Sequence, residues 1–158
     1  MNRYEELVEY CAKVGISVTE KEFKSNAKGL CKGNKIAISK RLESAVEKRC
    51  ILAEEMMHCL YTVGDILDQN SIQNKKQERY ARQQAYETLL PLPSFVNAYN
   101  NGLRKCYEIA EFLEVTEEFL IEAFAYYERK HGMYAIVHGM YTIRFSPFIV
   151  YAHGQRVG

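Results

Sequence analysis

The sequence predicts an α+β fold, mostly helical, with a small β-hairpin in the first third and a second one near the end. Three observations predict it. Apolar residues recur at helical spacing through several long stretches. Two short segments instead alternate around glycine-containing turns. Of the 158 residues, 47% are hydrophobic, enough for a core without staples at this length.

In order, Tyr4, Leu7, Val8, Cys11 and Val14 form one stripe of an amphipathic helix over residues 3–14, stopped by Gly15. Gly29-Leu30-Cys31, Lys32-Gly33-Asn34 and Lys35-Ile36-Ala37-Ile38-Ser39 read as a β-hairpin with Ile36 and Ile38 on one face. Ser44-Ala45-Val46-Glu47 is a capping box, opening a helix to about Tyr61. Its apolar stripe is Val46, Cys50, Ala53, Met57 and Leu60. Residues 64–74 are polar and irregular. A second long helix runs from about Lys75 to Leu90, ended by Pro91 and Pro93. Shorter helices fit 94–101 and 104–113, and Thr116 caps a helix from Glu117 to about Lys130. Residues 134–137 and 140–145 pair as strands around His138-Gly139.

The 21 basic and 20 acidic side chains nearly cancel, which gives no global pull toward nucleic acid or anionic lipid. No apolar run approaches the ~20 residues that span a bilayer, and the charged start does not resemble a signal peptide. Cys11, Cys31, Cys50, Cys59 and Cys106 are scattered and odd in number, which favours reduced thiols in a cytoplasm, most of them small core residues.

The chemistry concentrates in Leu52-Ala53-Glu54-Glu55-Met56-Met57-His58. Glu54 and His58 are four apart and project from one helix face, a spacing that suits a carboxylate and an imidazole on one metal ion. Glu55, about 100° further round, can border that ion as a base toward water. A third ligand must come from elsewhere. Glu78 is the candidate, because it shares a face with Ala81 and Ala85, and a carboxylate in line with a packing face needs a partner. Lys75, Lys76, Arg79 and Arg82 read as a solvated basic face near it. Asp65 reads first as a turn cap and second as an acceptor for His58.

These residues resemble a known family. Residues 52–58 are similar to the "LAHELGH" motif of the ImmA/IrrE metallo-endopeptidases, in the variant form "LAEELGH". Glu78-x-x-Ala81, followed by Ala85 and Leu89-Leu90-Pro91, is similar to that family's "ExxANxFAxxLLxP" helix. The resemblance covers roughly residues 3–130. It implies a zincin-like core, a bound zinc ion (manganese being the alternative) held by Glu54, His58 and Glu78, and Glu55 as general base. It also implies an endopeptidase of a mobile element or prophage whose substrate is a helix-turn-helix repressor. On that reading 1–158 is a single domain, with a metal-site core over 1–92, a helix-turn-helix-like part over 93–131 and a β-hairpin tail over 132–158. Two residues depart from the family pattern: Glu54 replaces a histidine, and Met57 replaces a glycine and is expected to crowd the helix crossing. These departures support an alternative, a non-catalytic antirepressor that binds the repressor with the same fold.

The remaining motifs carry less. The helix-turn-helix-like segment from Tyr107 to Tyr127 places Glu117, Glu118 and Glu122 on its second helix, where they would face phosphates, so direct nucleic-acid contact is not expected. His131, His138 and His153 read as turn and surface residues. A histidine, or Tyr134 or Tyr141, is a candidate to stabilise an oxyanion. The strand over Ile36–Ser39 is a candidate to take up an extended peptide by β-augmentation.

Overall fold

The computed structural model describes the backbone of residues 1–61 and 72–153. The fold is α+β, with six helices and two three-stranded sheets among the described residues. The chain divides into two compact units, Met1–Leu89 and Leu90–Gly158.

The first unit begins with α1 (Arg3–Lys13), whose N-terminus is closed by Asn2 accepting from the Glu5 N–H at 2.8 Å. Gly15 follows at φ 85°, a conformation that glycine adopts freely. The chain then enters β1 (Ser17–Lys21), β2 (Gly29–Lys32) and β3 (Lys35–Ser39). β2 and β3 form the expected antiparallel hairpin, with Ile36 and Ile38 both buried. β1, which the sequence reading left out, pairs parallel with β3 on its other side. β3 is therefore the central strand, with no edge for an added peptide, and the β-augmentation expected at Ile36–Ser39 is corrected.

The long helix α2 (Ala45–Tyr61) starts where the capping box placed it, with the Glu47 N–H donating to Ser44 Oγ at 3.1 Å. It packs against α1, β2, β3 and α3 (Ile72–Leu89). Within its expected stripe Cys50, Ala53 and Met57 are buried, Val46 is half-buried and Leu60 is exposed. Ala81 and Ala85 of α3 are completely buried, so this helix lies against the core on its small-residue face. Lys48 forms a 2.6 Å ion pair with Glu20 and ties α2 to β1. α3 starts at Ile72, earlier than the sequence suggested. Asp65, expected as a turn cap or as an acceptor for His58, lies outside the described residues.

One disulfide is present, between Cys31 of β2 and Cys59 of α2. The expectation of five reduced thiols is corrected for this pair; Cys11 and Cys50 are buried thiols, as expected. The cause is geometric: β2 runs along α2 and brings the two cysteines to a Cα–Cα distance of 6.1 Å.

The second unit contains α4 (Leu92–Asn100), α5 (Cys106–Leu113) and α6 (Glu117–His131), then β4 (Tyr134–Val137), β5 (Tyr141–Phe145) and β6 (Phe148–Ala152). Pro91 caps α4 and Pro93 sits in its first turn, where the missing N–H costs nothing, so α4 starts before residue 94. Thr116 accepts from the Phe119 N–H at 3.1 Å and caps α6. The expected C-terminal hairpin is present, turning through His138 and Gly139 at positive φ, and β6 extends it to a meander. The core of this unit is aromatic: the Phe95 ring meets Phe124 at 5.1 Å, Tyr127 at 5.7 Å and Phe145 at 6.1 Å. The buried Tyr127 hydroxyl donates to the Leu90 carbonyl at 2.8 Å. Among the described residues no helix is long and apolar enough to cross a membrane.

The disulfide closes a segment with a sequence separation of 28. A Cys31→Ser variant, or reduction of the wild type, is expected to lower stability by about 3–4 kcal/mol, mostly by freeing the unfolded chain. Urea denaturation with and without a reductant checks this. A wild type indifferent to reductant would contradict it.

Candidate metal centre

α2 presents its chemistry on two adjoining faces. Ile51, Glu55 and Cys59 are spaced by four and face β2, where Gly29 and Cys31 are spaced by two. The match of helix and strand periods lays β2 along that row. A Cβ built on Gly29 would stand 2.7 Å from Ile51 Cγ2 and 3.0 Å from Glu55 Cγ, so strand backbone lies directly against the Glu55 side chain. Glu54 and His58 occupy the next face round, and the α2–α3 packing brings Glu78 within electrostatic reach of Glu55 and His58.

The electrostatics follow from this crowding. Burial pushes the Glu55 carboxyl up to about 7, and the neighbouring charges of Glu54 and then Glu78 add to the rise. Burial lowers the pKa of His58; Glu78 opposes that shift and Arg82 assists it. Glu78 is thus felt by both the expected base and the expected imidazole ligand, which links the two motifs through space. The neutral imidazole favoured by burial is the form that binds a metal.

The donors are neighbours and not a finished cage. Among the described residues no three His, Cys, Asp or Glu side chains are gathered closely enough to hold a metal ion. The donor chemistry nevertheless suits one. Glu54 and Glu78 add to the cost of ionising the half-buried Glu55, and a divalent cation beside it would offset that cost. One imidazole and two carboxylates form a hard, anionic set, compatible with zinc and less selective against manganese than a two-histidine set.

Met57 lies on α2, which packs against both α1 and α3. It is buried and, with Met56, Leu7 and Leu89, lines a cavity of about 450 Å³ among α1, α2 and the end of α3. Lys75, Lys76, Arg79 and Arg82 are all exposed, the solvated face expected of them. The other histidines lie in the second unit: His131 stacks on Tyr127, His138 sits in the β4–β5 turn, and His153 Nε2 is hydrogen-bonded to Thr142 Oγ1. Tyr134 and Tyr141 belong to that unit too. In α6, Phe119, Tyr126 and Tyr127 are buried and Phe124 is half-buried, so these rings serve the core as anticipated.

Sequence reasoning missed two contributors, Gly29 and the Cys31–Cys59 link. The signal was there: residues 29 and 31 at strand spacing match residues 51, 55 and 59 at helical spacing. It acquires meaning only once the strand is known to lie on the helix.

The raised Glu55 gives a pH signature for protein freed of metal by a chelator. Between about 4.5 and about 7 the folded state keeps a Glu55 proton that the unfolded chain releases, so stability falls as pH rises. His58, whose pKa is lowered, acts oppositely, with stability lost as pH falls through its folded value. Glu55→Gln removes only the first effect. Near pH 8 that variant is expected to exceed wild type by about 3 kcal/mol, the gap closing in acid below the ordinary carboxylate range. Urea denaturation across the pH range checks this; a gap of the same size in acid would contradict it.

Comparison with known proteins agrees with the motif reading. The family model described as the IrrE N-terminal-like domain, Peptidase M78, matches residues 11–124, a span holding both motif helices. No curated protein and no solved structure matches the chain. With more than half its residues matched, the chain belongs to the IrrE N-terminal-like (M78) peptidase family.

Proposed function

We propose that this protein is a metal-dependent endopeptidase that cleaves a helix-turn-helix repressor, with zinc held by Glu54, His58 and Glu78 and with Glu55 as general base. One observation carries the reading: Glu54 and Glu78, from two packed helices, both act on the Glu55 carboxyl, and Glu78 also acts on the half-buried imidazole. A half-buried carboxyl with two further carboxylates acting on it and an imidazole on the same helix is the environment a cation site would use.

When bound, the metal would polarise the scissile carbonyl and make an attacking water acidic enough to ionise near neutral pH. The chain's own residues supply the proton handling. Glu55, with affinity for a proton near neutrality, can take one from the water and deliver it to the leaving amine. His58 holds its neutral form because burial disfavours its cation. β2 pairs with β3 along one edge and, among the described residues, with no strand along the other. Its outward residues, Leu30 and Lys32, are exposed. An extended peptide added to that edge would lie next to the strand that touches Glu55.

A second reading, a non-catalytic antirepressor, has a specific observation in its favour. The donors are not gathered into a ready ligand set, and one of them is Glu54 in place of a histidine. In that case the fold would bind the repressor without turnover.

Two measurements separate these. Elemental analysis is expected to find about one zinc per wild-type chain and a large loss in Glu78→Ala; equal zinc in both would remove Glu78 from the set. Incubation of the zinc-loaded protein with a purified helix-turn-helix repressor is expected to give discrete fragments. Glu55→Gln should slow this by about a hundredfold or more. Equal cleavage by both would exclude Glu55 as base, and stable binding without cleavage would establish the antirepressor.

A further inference from the structure

We propose that Gly29 is a positioning residue for Glu55: its missing side chain lets β2 seat on the base and fix where the carboxylate points. This rests on the reading of Glu55 as general base given above.

The case begins with why a glycine stands there at all. Gly29 lies inside a strand, where glycine is normally weakening. Its φ is not among the positive ones, so the backbone would accept any residue. Space is what excludes a side chain. An added Cβ would meet Ile51 Cγ2 at 2.7 Å and Glu55 Cγ at 3.0 Å. Glycine in a strand where another element comes this close marks a required approach.

The strand cannot simply lift away. Gly29 is paired with Ile38 of the central strand, and the preceding Lys28 carbonyl accepts from the Ser39 N–H at 2.9 Å. Two residues on, Cys31 is bonded to Cys59, one helical turn beyond Glu55. β2 is therefore fixed on both sides of the contact. A side chain at residue 29 must be accommodated by Ile51 and Glu55, and a displaced Glu55 no longer points where it did. Ile51 and Glu55 can be separated experimentally, because each meets the added Cβ at its own atom.

The test uses wild type, Ile51→Ala, Gly29→Ala and the double variant Gly29→Ala/Ile51→Ala. The double variant removes the Ile51 clash and leaves Glu55 Cγ as the one tight contact, the Ala37 carbonyl oxygen standing at an ordinary 3.5 Å, so it is expected to keep the fold even where Gly29→Ala alone does not. The first readout needs no substrate. Carbodiimide-driven coupling of glycine ethyl ester to carboxyl groups is followed by peptide mass spectrometry, with exposed Glu43 as internal reference. Glu55 should couple slowly in wild type and in Ile51→Ala, and several-fold faster in the double variant. Unchanged Glu55 coupling in the double variant overturns the proposal, whatever the protein's activity. The second readout is repressor cleavage. In the double variant kcat should fall by about tenfold to a hundredfold with KM little changed, as expected of a misplaced catalytic group. Ile51→Ala should stay near wild type. A double variant with wild-type kcat also overturns the proposal. If wild type itself cleaves nothing, the endopeptidase reading fails, while the coupling result still decides whether Gly29 sets the position of Glu55.

Discussion

The packing of α3 onto α2 through Ala81 and Ala85 is the constraint on which the candidate centre depends. Both alanines are fully buried. Small side chains let two helix backbones approach closely, and that approach carries Glu78, one turn before Ala81, toward Glu54, Glu55 and His58. Larger residues on this face would hold the helices apart and leave four ordinary surface groups. With the close approach, three carboxylates share one region and burial drives Glu55 toward neutrality. For Glu55, that surrounding raises the cost of ionisation in the folded protein. On the proposed reading, a bound cation would offset that cost.

α2 serves two surfaces at once. Its buried residues Leu52, Ala53, Met56 and Met57 join the core, and the row Ile51, Glu55, Cys59 carries strand β2. The disulfide secures that strand one helical turn from Glu55. Glu55 is thus flanked by strand backbone that a covalent link holds in place, a stiffer support than side-chain packing alone. The second unit is organised differently, around Phe95 and the rings that meet it, and the acidic first turn of α6 suits the positive end of the helix dipole.

Much of this was legible in the sequence. The capping box at Ser44, the Gly33-Asn34 hairpin and the Thr116 cap each announce themselves in a few adjacent residues, because the forces involved are local. Glu54, His58 and Glu78 could be chosen because helical spacing and a small-residue face are periodic signals. What stayed hidden is what needs tertiary pairing. β1 has little apolar alternation: only Val18 is partly buried, so nothing in Ser17–Lys21 signals a half-buried strand. Its presence turned β3 from an edge into a centre. The Cys31–Cys59 bond could not be read from an odd count of scattered cysteines. Gly29 looked like the start of a hairpin; its contact with Glu55 is visible only in three dimensions.

The central claim is that two packed helices present one imidazole and two carboxylates to a single cation. The direct test is anomalous diffraction at the zinc edge from crystals of zinc-loaded protein. One strong peak bonded to Glu54, His58 and Glu78 is expected, at distances of about 2.0–2.2 Å, with the Glu55 carboxylate beside it and unbound. A peak elsewhere, or full occupancy at this site with Glu55 as a ligand and Glu78 turned away, would contradict it.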